Sequence, residues 1–131
     1  MGLERRVLGG LAMFLVFPVR AVNLDPAEVA AADAILRLTV THALGSPLAS
    51  LATVPTSVDD AALQADCAAR RCERYLVVDV VRIGGPIFVT MALRDATGNE
   101  RAWYQGGARD PAGLVPVFTY FAGEYLTQPA R

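Results

Sequence analysis

The sequence predicts an α+β domain: a mixed sheet of four or five strands ending in an antiparallel meander, with three helices in the order (β)αβαβββα. Three observations predict it. Between Cys72 and Gln105, two β-rich runs are joined by Gly84-Gly85-Pro86, and a third follows Asp95-Ala96-Thr97-Gly98-Asn99. Helix-start signals recur at Asp25-Pro26-Ala27-Glu28, Ser57-Val58-Asp59-Asp60 and Asp110-Pro111. Finally, Leu114, Val117, Phe118, Phe121 and Tyr125 repeat at helical spacing, the strongest amphipathic pattern in the chain.

Each element follows from local chemistry. Ala12 to Phe17 reads as a first strand stopped by Pro18, which cannot donate to a ladder. Asp25 caps a helix, Pro26 suits its first position, and Glu28 completes a capping box. Val29, Ala32, Leu36, Val40 and Ala43 form its buried stripe, and Gly45 stops it. Leu51 to Val54 reads as a short strand ended by Pro55. A second helix is expected from the Ser57 cap to about Arg70, with Ala62, Ala65 and Ala69 as the small face against the sheet. Arg74 to Arg82 is apolar on both faces, as a central strand covered on two sides would be, with Asp79 the exception. In the next strand Ile87, Val89, Met91 and Leu93 face one way, and Phe88, Thr90, Ala92 and Arg94 the other. Arg101 to Gln105 forms the third strand of the meander, with Trp103 opposite in facing to Ala102 and Tyr104.

Composition narrows the function classes. The 131 residues are 53% hydrophobic with a net charge of -1, which suits one compact domain with its own core. The twelve basic residues are all Arg and scattered, with Arg70, Arg71 and Arg74 the only dense group. With a pI of about 5.7, a nucleic-acid partner is not expected. One His and two Cys are too few for a protein zinc site, and no cofactor motif appears. Gly84-Gly85 joins two strands, and Gly106-Gly107 lacks the ending of a phosphate loop.

Residues 1–21 support two readings. Arg5-Arg6, the apolar run Val7 to Phe17 and Val19-Arg20-Ala21 together make a signal-peptide pattern. The run is too short to span a bilayer, so no transmembrane helix is expected, and no Cys follows it to carry a lipid anchor. The rival reading keeps the segment as the first strand of a single α/β domain over residues 11–127. The first reading places the protein in the periplasm or cell envelope; the second leaves it cytoplasmic. Cys67 and Cys72 lie five apart, about 7.5 Å along a continuous helix. They can bridge only if the helix ends between them, and two free, partly buried thiols are the simpler reading.

The order of elements and several segments resemble the N-terminal α/β domain of the Tol-Pal protein TolB and the related core of the curli-secretion protein CsgG. Phe14-Leu15-Val16-Phe17-Pro18 followed by Ala21-Val22-Asn23-Leu24-Asp25-Pro26 is similar to that family's opening strand and loop, which favours the strand reading. Cys72-Glu73-Arg74-Tyr75-Leu76-Val77-Val78-Asp79-Val80 resembles its central strand, except that Asp79 stands where the family usually has Gly. Met91-Ala92-Leu93-Arg94-Asp95-Ala96-Thr97-Gly98 resembles the end of its hairpin. No β-propeller follows, and no lipid-anchor Cys or long membrane hairpins appear. The resemblance implies an envelope-associated domain that binds other proteins and has no enzymatic activity.

The candidate site residues are few. His42, near the end of the first helix, suits a C-terminal capping role better than catalysis, and no catalytic residue is assigned. Asp79 is read as sitting near an open edge or pairing with an Arg such as Arg94 or Arg101. Phe88, Trp103 and Tyr104 are the candidate partner contact if they stand exposed on the outer strands, because exposed aromatics often anchor interfaces; the alternative places Phe88 and Trp103 under a helix. The expected function is a non-catalytic envelope domain that binds a protein partner or self-associates. The alternative is a small-ligand or regulatory module with a pocket between the last helix and the meander.

Overall fold

The structure, a computed structural model, describes residues 14–45 and 59–126. The fold is α+β, with a mixed five-stranded sheet. In chain order the elements are β1 (Phe14–Val16), β2 (Arg20–Val22), α1 (Pro26–Leu44), α2 (Asp60–Ala69), β3 (Arg74–Arg82), β4 (Ile87–Asp95), β5 (Glu100–Ala108) and α3 (Leu114–Phe121). A short 3-10 turn, Pro111–Gly113, precedes α3, and a π-helical segment, Ala122–Leu126, continues it.

The sheet order is β1-β3-β4-β5, with β2 also paired to β3. β1 and β2 run parallel to β3, while β3–β4 and β4–β5 are antiparallel. The meander is therefore as expected, and Phe14–Val16 forms the expected first strand. The second short strand, Arg20–Val22, was not foreseen, because three residues carry too little pattern. The expected strand at Leu51 to Val54 lies outside the described residues.

Local chemistry places the helices. Asp25 accepts the Glu28 amide at 2.9 Å while Glu28 reaches back to the Asp25 amide at 3.2 Å, so the capping box is complete. Gly45 closes α1 in the left-handed region at φ 75, where a β-carbon would be strained. The α2 cap is Asp59, whose carboxylate accepts from the Ala62 amide at 2.9 Å. The helix thus begins later than the expected Ser57 cap, and Ser57 itself lies outside the described residues. Asp110 caps the 3-10 turn through the Gly113 amide at 3.0 Å.

Two cores lie on opposite faces of the sheet. The larger joins Leu76, Val78 and Val80 of β3 and the inward row of β4 to α1 and α3. All of Leu114, Val117, Phe118 and Phe121 are buried there, as the spacing predicts. The smaller core holds Leu15, Phe17, Leu63, Cys67, Cys72, Tyr75 and Val77. Here the sequence reading of α2 is corrected: Ala62, Ala65 and Ala69 are exposed, and Leu63 and Cys67 face the sheet. Burying one leucine removes far more apolar surface than burying an alanine methyl, so Leu63 sets the helix's rotation.

The free-thiol expectation is also corrected. Cys67 and Cys72 form a disulfide, with Cα atoms 5.0 Å apart. The helix ends at Ala69, and Arg71 adopts φ 59, which folds the chain back on itself. The Cys72 amide then reaches the Cys67 carbonyl at 2.9 Å. Five residues of continuous helix would hold the pair too far apart; the left-handed residue removes that obstacle.

Candidate interaction surface

Among the described residues, the outer sheet face, opposite α1 and α3, is only partly covered. α2 shields the end built by Leu15, Phe17, Tyr75 and Val77. Beyond it the register aligns Val22, Val81 and Phe88 in one row across three strands. Val22 is 57% exposed and Phe88 39% exposed. Val81 is half-buried, so β3 is covered on both faces over only part of its length, a correction to its reading as a fully covered strand. Ile83, just past the strand, is exposed as well.

Trp103 lies on the same face, opposite Ala92, and is 51% exposed. Phe88 and Ala92 are four residues apart, so the two aromatic positions are separated by about 13 Å along the strands. Thr90 and Gln105 pair between them. Tyr104 points the other way: its ring sits 5.1 Å from Tyr120 and 6.4 Å from Phe121, against α3. The structure brings Phe88 and Trp103 to one face and removes Tyr104 from it, because alternate residues of a strand face opposite sides. Val22, Val81 and Ile83 were missed as surface residues; an apolar residue at a strand end looks the same whether or not a helix covers it.

A charged clasp borders the covered part. Arg20 holds Asp79 through two hydrogen bonds, Nε to Oδ1 at 2.6 Å and Nη2 to Oδ2 at 2.9 Å. It also donates to Asp60, the first residue of α2, at 2.8 Å. Arg94 approaches the other Asp60 oxygen at 3.3 Å. Asp79 thus pairs with an Arg as expected, but with Arg20 of β2 rather than Arg94 or Arg101. Arg101 instead lies 3.6 Å from Asp95. Burial pushes the Asp60 carboxyl up, but the bonds from Arg20 and Arg94 outweigh it and hold Asp60 below the usual carboxylate range. Burial raises the Tyr75 hydroxyl, opposed by its bond with Arg94.

Among the described residues, no strand pairs with the outer side of β5. At the close of β5, Gly106 lets α3 approach: a β-carbon there would lie 3.0 Å from the Tyr104 ring and 3.1 Å from Val117.

Elsewhere, His42 lies in the last turn of α1, exposed, and lines an apolar groove of about 380 Å³ with Leu38, Thr39, Ala43, Thr119, Ala122 and Gly123. This groove lies between α1 and the α3 end, whereas the ligand-pocket alternative placed its site between the last helix and the meander. Among the described residues no group of three or more His, Cys, Asp or Glu is placed to hold a metal ion. No described helix is long and apolar enough to cross a membrane.

A scan against models of protein families finds no match, and a search of curated proteins finds none either. Solved structures do match. The PelC dodecamer from Paraburkholderia phytofirmans is similar at 17% identity and a TM-score of 0.58, over 88% of this chain and 84% of that one. The lipoprotein GNA1162 from Neisseria meningitidis is similar at 13% identity and a TM-score of 0.58, over 92% of this chain and 99% of that one. TolB from Acinetobacter baumannii is similar at 13% identity and a TM-score of 0.50, over 85% of this chain but 28% of TolB. At these identities the likeness is one of fold, and the TolB part of the sequence resemblance has a counterpart at that level.

Proposed function

We propose that this chain is a non-catalytic cell-envelope domain that binds a protein partner or a second copy of itself. The observation that carries the reading is the outer sheet face, where Val22, Phe88 and Trp103 stand exposed, Trp103 on β5, whose outer side no described strand pairs. Large aromatics in solvent lose nothing by being covered and anchor protein interfaces when they are. The envelope placement draws on the TolB/CsgG-like resemblance and on a fold shared with a lipoprotein and with TolB. Self-association has a precedent in the same fold, since PelC is a dodecamer.

The same reading keeps residues 14–22 in the mature domain, so the export signal that an envelope location needs has to end before Phe14 and not at Ala21. Leu15, Val16, Phe17 and Val19 are buried, and Arg20 ties β2 to α2. A chain starting at Val22 would lose all of them. Mass spectrometry of the natively expressed protein is expected to show an N-terminus upstream of Phe14; a mass beginning at Val22 would overturn this part of the reading. The binding reading is tested by the double variant Phe88→Ala, Trp103→Ala. Tagged wild-type protein in an envelope extract is expected to retain a protein, or untagged copies of itself, that the variant releases. Equal capture by both would remove this face as the contact.

A further inference from the structure

We propose that β5 pairs antiparallel with β5 of a second copy, about a two-fold axis at Tyr104, extending the sheet across the dimer. The proposal rests on the reading of the outer face as a contact surface and names its occupant.

The two edges of the sheet are unequal. On one side, β1 and β2 offer three residues each, and Pro18 lies between them. That edge cannot supply a continuous ladder, because proline lacks the amide donor. On the other side, β5 runs for nine residues, Glu100–Ala108, without a proline; a bulge at Arg101 leaves Ala102 to Ala108 as its regular part. Natural edge strands usually carry lysine, proline or an inward charge to prevent pairing. The chain has no Lys, and β5 from Ala102 to its end at Ala108 is uncharged.

Charge selects the direction. Glu100 opens the strand and Arg109 follows its end. Antiparallel pairing brings Glu100 of each copy, which also lies 3.7 Å from Arg94 of its own chain, within one residue of Arg109 of the other, at both ends. Parallel pairing would set Glu100 beside Glu100 and Arg109 beside Arg109, which repel.

Side chains select the register. With Tyr104 at the axis, Trp103 faces Gln105 of the second copy, and the two Trp103 rings become diagonal neighbours about 7–8 Å apart, within reach of each other. Arg101 then faces Gly107, whose missing side chain leaves room for the guanidinium. Moving the axis to Gln105 would set Arg101 against Arg109. Moving it to Trp103 would set Glu100 opposite Gly106, three residues from Arg109, and shorten the ladder. A pair about a two-fold axis is isologous and closes at two copies.

The test uses the full chain. Its two cysteines are bonded to each other, so an introduced thiol reports without a free native competitor. Trp103→Cys and Gln105→Cys are made separately, mixed in equal amounts and oxidised gently. The mixed 103–105 link is expected to outnumber either like-with-like link, and light scattering of wild type at roughly 100 µM is expected to give a dimer mass. Trp103→Lys places two ammonium groups at the diagonal and is expected to weaken the dimer at least about tenfold, with an unchanged circular dichroism spectrum. A monomeric wild type, or a predominance of 105–105 links, would overturn the proposal. A monomer that still captures another protein through Phe88 and Trp103 would sink the self-pairing and leave the proposed function standing.

Discussion

Arg20 joins two acids that lie 59 and 40 residues further along the chain. Its fork matches the Asp79 carboxylate in two parallel bonds, a geometry that lysine cannot reproduce. The group is partly exposed, so solvent screening limits its worth. Arg20→Ala is expected to cost about 1 kcal/mol in urea denaturation, and Arg20→Lys to recover less than half of it; full recovery by lysine would show that only the charge matters. Asp60 adds a pH signature. Its folded pKa is depressed, so its contribution is present above the unfolded carboxylate value and is lost as pH falls through the folded one. Asp33 has the opposite sign. Burial raises its carboxyl, against the Val19 amide, which donates to it at 2.8 Å. Its charge therefore costs stability as pH rises through the carboxylate range. Asp33→Asn keeps an acceptor for Val19 and is expected to match or exceed wild type at neutral pH. Asp33→Ala orphans that amide and is expected to lose about 1–3 kcal/mol. Denaturation curves at pH 4 and pH 7 separate the two.

At the scale of the element, the disulfide closes a short loop between α2 and β3. In the chain-entropy account such a loop stabilises by about 2 kcal/mol. Cys67→Ala with Cys72→Ala is expected to lose that amount, read as a lower urea midpoint that reductant no longer shifts; a midpoint equal to that of the oxidised protein would refute it. Gly106→Ala pushes a methyl into Tyr104 and Val117 and is expected to cost about 1–3 kcal/mol. Much of this scale was legible in the residue order. Asp25 with Glu28, Asp110 with Pro111, and the stripe from Leu114 to Phe121 are short-range signals, and each acts where it stands. The misreadings have physical causes. α2 turned Leu63 inward instead of its alanines, because its partner surface is built by β1 and β3. The bridge depended on one left-handed residue, Arg71, which no periodicity announces.

The whole molecule is asymmetric across its sheet. One face carries α1 and α3 over a continuous core, and the other carries α2 over less than its full extent. The Phe88→Ala, Trp103→Ala variant is therefore expected to unfold within about 0.5 kcal/mol of wild type, as surface changes do, while losing association. A large loss of stability would mean that both rings belong to the fold and not to an interface. Of the candidate contact, Phe88 and Trp103 were legible as aromatics in strands, on faces set by alternation, while their exposure was not. Their neighbours Val22 and Val81 were not, since strand alternation tells which residues share a face but not how far a distant helix extends over it.

The residue order by itself determined the meander, the caps at Asp25 and Asp110 and the inward stripes of α1 and α3, because hydrogen bonding at a turn and apolar spacing on a helix are settled within a few residues. Only the tertiary structure decided that Arg20 would clasp Asp79 and Asp60, that Tyr104 would pack against α3, and that β5 would stand at the edge of the sheet among the described residues. Those outcomes depend on which segments meet across the fold, and contacts between residues far apart in sequence leave no local pattern to read.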